Sequence, residues 1–64
     1  MMGRAMTNLQ IAREIAERAM DAEDHDMADA AFRCCRAFKR GFAPAVQDWA
    51  LVKAFWFDTQ DVKA

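Results

Sequence analysis

The stretch "AFRCCRAF", residues 31 to 38, sets Cys34 and Cys35 side by side between Arg33 and Arg36. Adjacent thiols can serve as a redox pair, as part of a metal claw or as nucleophiles. Each use makes a geometric demand. A structural zinc needs four ligands, usually from two spaced pairs, and only His25 and the acids of "DAEDHD", residues 21 to 26, could supplement the thiols. A disulfide between neighbours closes no useful loop, and on a helix it would need a strained, non-helical peptide. A nucleophilic Cys35 would need its pKa lowered by Arg36 or Lys39, and no histidine stands at a convincing position to act as its base. The expected role of both thiols is therefore packing, with no metal and no cofactor. His25, among four acids, reads as a solvated residue flanking a helix.

The elements that carry these residues follow from composition and punctuation. The chain has 64 residues and is 55% hydrophobic, but 14 of its hydrophobic residues are alanine, which favours helix and close packing while burying little area. Tyr is absent, and two Gly and one Pro are too few for a series of hairpins. An all-α fold is expected: a small three-helix bundle of one domain, completed by oligomerisation or a partner, since a chain this short makes a marginal core.

Thr7, with Gln10 three residues on, makes a capping box that starts the first helix, over about 8 to 22. Residues 1 to 6 read as a frayed leader. Leu9, Ala12, Ile15, Ala16 and Ala19 share one side of this helix, while Arg13/Glu17 and Glu14/Arg18 stand at i,i+4 on the other. Asp24 or Asp26 can cap a second helix over about 27 to 40, which Gly41 ends, with Phe42 positioned to fold back on it. On that helix Met27, Ala30, Ala31, Cys34, Ala37 and Phe38 form the apolar arc, so Cys34 is expected in the core and Cys35 at its edge. Pro44 suits the first turn of a third helix, over about 44 to 58, with a partly ordered tail at 59 to 64.

The third helix carries a surplus. Ala45, Trp49, Val52 and Trp56 make one ridge, Leu51 and Phe55 a second, and Val46, Ala50 and Phe57 a third. A helix apolar nearly all round is either central to a core or covered by a partner, and two short companions cannot cover every side. Trp49, Val52, Trp56 and Phe57 are therefore expected to be hydrophobic anchors for a protein partner or a second copy. Phe32, off the apolar arc of the second helix, joins them.

Arg33, Arg36, Lys39 and Arg40 form a basic face that could rim such an interface, or follow a phosphate backbone in a helix-turn-helix-like, nucleic-acid-binding alternative. Against that alternative, the helix after the turn offers Trp, Val, Leu and Phe rather than side chains that read base edges. The net charge of −1 also gives no overall attraction to nucleic acid or anionic membrane. There is no Gly-rich phosphate loop, no HExxH and no GxSxG, so no enzyme and no small-molecule substrate are expected. Without a span of about 20 apolar residues or a signal-peptide core, a soluble cytoplasmic protein with no membrane role is expected. By size, it is the kind of chain that bacterial or phage genes use as a regulator, adaptor or inhibitor of a larger host assembly.

Overall fold

In the computed structural model the described residues, 6 to 60, form three helices: α1 (Asn8–Asp21), α2 (His25–Arg40) and α3 (Val46–Gln60). Side chains are described through Asp58. The expected leader lies almost wholly outside the described residues, as do 61 to 64 of the expected tail. Residues 59 and 60 belong to α3, which runs two residues past the expected end.

Thr7 starts α1 as its sequence requires. Its hydroxyl accepts from the Gln10 amide at 3.1 Å, and the Gln10 side chain accepts from the Thr7 amide at 2.8 Å. Both helix C-termini then close with the same hydrogen-bond pattern. At the end of α1, the Glu23 amide donates to the Met20 carbonyl and the Asp24 amide to the Ala19 carbonyl. At the end of α2, the Gly41 amide donates to Phe38 and the Phe42 amide to Ala37. These are Schellman motifs, which put the first residue past the helix into left-handed backbone. Gly41 takes it at φ 83°, as the sequence demands, whereas the other site is filled by Glu23 at φ 59°.

Asp24 serves two helices. While its amide closes α1, its carboxylate accepts from the Met27 amide at 3.2 Å and its carbonyl from Ala28, so α2 starts at His25, two residues before the expected start. The connection is consequently short, and α1 and α2 pack as an antiparallel hairpin more extensively than either packs on α3. Alanine makes this close approach possible: Ala12, Ala16, Ala19, Ala28, Ala30 and Ala31 are all buried, and Ala12, Ala16 and Ala31 cluster with Ile15 and Cys34.

The third helix starts later than Pro44. The Ala45 carbonyl accepts the first helical bond, from Trp49, and Pro44 falls in the connector from α2 to α3. There its fixed φ stiffens the approach instead of opening the helix. From that connector α3 lays Val52 into the same core as Ile15, Ala31 and Cys34, with Trp49, Phe55 and Trp56 packed around it.

Candidate interaction surface

The helix α3 has two faces with different employment. Val52 is fully buried. Trp49 meets Phe38 of α2 edge to face, with ring centroids 5.1 Å apart and planes at 81°. Trp56 lies under the Arg18 guanidinium of α1, 5.4 Å from the ring centroid, and Arg18 is also held by Glu14 at 3.1 Å. The ridge expected to anchor a partner is thus the one that fastens α3 to its own bundle. Val52 has no surface to present, and Trp49 and Trp56 are half-buried in contacts with α2 and α1.

A polar clamp reinforces that attachment. Arg33 donates from Nε to Asp48 Oδ2 at 2.9 Å and from Nη2 to Asp48 Oδ1 at 3.0 Å, a fork-to-fork pair joining α2 to α3. These hydrogen bonds hold the Asp48 carboxyl below the usual aspartate range. The pair changes the reading of the basic face. Arg33 is directed at α3, while Arg36, Lys39 and Arg40 stand exposed on α2. A continuous row of four cations aimed at a phosphate backbone is not what the arrangement presents. The signal for this pair was in the sequence: Asp48 falls one helical turn before Val52, on the inward side, where an acid needs a cation.

The opposite side of α3 is the surplus. Val46 is 84% exposed, Phe57 68% and Leu51 49%, with Ala50 and Ala54 open between them. Lys53 and Asp58 stand at the two edges of this strip, the lysine ammonium 5.9 Å from the Trp49 ring centroid. α1 and α2 are one-sided amphipathic helices, and α3 is not. Along its Leu51 edge a shallow depression of about 330 Å³ runs between Met27, Ala54, Phe55 and Asp58. Phe32 is also exposed, on α2, and Phe42 stays 67% exposed although its amide completes the cap.

The cysteines occupy the places their helix assigns them. Cys34 is buried, Cys35 half-buried, and both are free thiols. Burial pushes the Cys34 thiol up to about 11. Burial likewise raises Cys35, partly opposed by Arg13 and Lys39. The nearby cations therefore do not activate Cys35, because desolvation outweighs them. Among the described residues, no group of three or more His, Cys, Asp or Glu side chains is arranged to hold a metal ion. No helix among them is long and apolar enough to cross a membrane.

No protein-family model, curated protein or solved structure matches the chain.

Proposed function

We propose that the protein is a small, non-enzymatic protein–protein interaction module whose docking surface is the outward face of α3. The observation that carries this reading is Val46, Leu51 and Phe57 standing in water on one helix whose other face is already committed to the core. Large apolar side chains clustered on one exposed face mark interaction sites more often than scattered single residues do. The helix is held from behind by the Arg33–Asp48 clamp and the Phe38–Trp49 contact. It therefore offers its outer face without having to order first, which lowers the cost of association. Phe57 and Leu51 supply the anchors, Ala50 and Ala54 let a partner backbone come close, and the exposed Arg36, Lys39 and Arg40 of α2 supply positive charge that can steer a partner.

The test is the native mass of the wild-type chain, purified and in lysate of the cells it comes from, beside the Leu51→Ser/Phe57→Ser variant. Both positions are exposed, so the variant should keep its helicity. The wild type is expected above its 7.3 kDa monomer mass and the variant at it. Identical masses for the two chains in both settings overturn the reading.

A further inference from the structure

We infer that the occupant of this face is a second copy of the chain, with the two α3 helices side by side, parallel and in register. The inference rests on the preceding reading of the face and adds its partner and geometry.

It begins with a division of α3 by seven. With Gln47 in the first position of a heptad, Ala50 takes the fourth, Ala54 the next first and Phe57 the next fourth. These are the a and d positions, the seam of a two-stranded coil. Val46 and Lys53 then fall at g, and Leu51 and Asp58 at e, the positions that flank such a seam. All eight are exposed. The remaining positions from 48 to 56 are Asp48, Trp49, Val52, Phe55 and Trp56; the four apolar ones pack in or on the chain's own core, and Asp48 is half-buried in its pair with Arg33. Burial thus divides the helix along heptad lines, one side for its own bundle and the other arranged as a seam.

Direction follows from the flanks. In a parallel pair, g of one helix meets e of the other five residues on. Val46 then meets Leu51 of the second copy, apolar on apolar, and Lys53 meets Asp58, opposite charges. Both contacts occur twice by symmetry. In an antiparallel pair like edges meet, so the Lys53 edges would face each other and the Asp58 edges likewise. Gln47 agrees with the parallel choice, since in register its amide faces its own copy across the axis. A single polar residue at an a position is a known means of fixing register. Ala50 and Ala54 allow the helices to approach closely between Gln47 and Phe57.

The pairing is short. Fifteen residues span about 22 Å, which gives a seam of two heptads and a reversible dimer rather than a permanent one.

Sedimentation equilibrium under reducing conditions tests it, with the wild type, Lys53→Glu, Asp58→Lys and the double swap Lys53→Glu/Asp58→Lys. Circular dichroism checks that each variant stays folded. The wild type is expected to dimerise reversibly. Each single reversal should weaken dimerisation about fivefold, because it puts like charges together at two symmetric sites, and the double swap should return it to near the wild-type value. A wild type that remains monomeric up to about 1 mM overturns self-pairing, while the interaction reading keeps its own test in lysate. A dimer that the double swap fails to restore overturns the parallel register. A dimer insensitive to Leu51→Ser/Phe57→Ser overturns the choice of face itself, and with it the proposed function.

Discussion

Two helix ends with the same hydrogen bonds and different residues make a matched experiment on backbone strain. Gly41 and Glu23 both hold left-handed backbone, at φ 83° and 59°. A side chain carrying Cβ costs about 1–2 kcal/mol in that conformation, and glycine escapes it. Replacing glycine also removes freedom from the unfolded chain, which returns about 0.4–1 kcal/mol. At Gly41 an added Cβ would meet no atom within 4 Å, so Gly41→Ala reports the backbone penalty alone. The net expectation for Gly41→Ala is a loss of about 1 kcal/mol, and for Glu23→Gly a gain of similar or slightly smaller size. Glu23 lies between the C-terminus of α1 and the N-terminus of α2, so the two dipole effects of removing its charge oppose each other. For a domain of this size, 1 kcal/mol moves the Tm by about 4–8 °C. Thermal unfolding followed by far-UV circular dichroism should therefore show Gly41→Ala falling and Glu23→Gly rising. A neutral Gly41→Ala, or a Glu23→Gly that loses stability, would refute the two-cap account of the helix ends.

Three further expectations concern the core, the clamp and the thiols. Val52→Ala removes two methyl groups from a fully buried site, at about 0.8 kcal/mol each plus a cavity cost, so a loss of about 2–3 kcal/mol in urea unfolding is expected. That is a large part of the roughly 3–10 kcal/mol a chain of this length holds. The clamp should show in acid. Asp48 binds its proton less tightly folded than unfolded, so its stabilising contribution is present above the ordinary aspartate pKa of about 3.9 and is lost as pH falls through its lower folded value. Subtracting the stability profile of Asp48→Asn from that of the wild type should leave this acid-range step, and a flat difference would remove the clamp from the account. The thiols titrate in the other direction. With Cys34 pushed up to about 11, its thiolate fraction at pH 8 is roughly 100-fold below that of an unperturbed cysteine. Iodoacetamide labelling should be slow for both cysteines in native protein and fast in denaturant, and rapid native labelling of Cys35 would restore a reactive role for it. The same raised value predicts that stability declines as pH climbs above about 8.5, since the folded thiol keeps its proton after the unfolded one has lost it.

Where the sequence was legible, a local rule governed the outcome. Thr7 with Gln10, and Gly41 after a basic turn, depend on neighbours three to five residues away, and both formed as their types require. The placing of Cys34 and Cys35 needed only helical periodicity. Where it was less legible, one residue did two jobs or the partner was distant. Asp24 closes one helix and opens the next, which moved the start of α2 to His25. The left-handed Glu23 has no type signal, because the motif favours glycine and here overrides that preference. On α3, nearly every position is apolar, so periodicity could not choose among its ridges. Trp49, Val52 and Trp56, expected as interface anchors, went inward: Trp49 meets Phe38, Trp56 lies under Arg18 and Val52 enters the buried core. Val46, Leu51 and Phe57 were left outside.

The most direct test of the outward α3 face is contact-dependent crosslinking. A photoreactive side chain at Ala54, in the middle of that face, is compared with one at Glu17, exposed on α1, each with the chain purified and in lysate of its own cells. Docking through the outward face of α3 should give covalent products of defined mass from position 54 and none above background from position 17. Products from position 17 alone, or from neither position at any concentration, would contradict it.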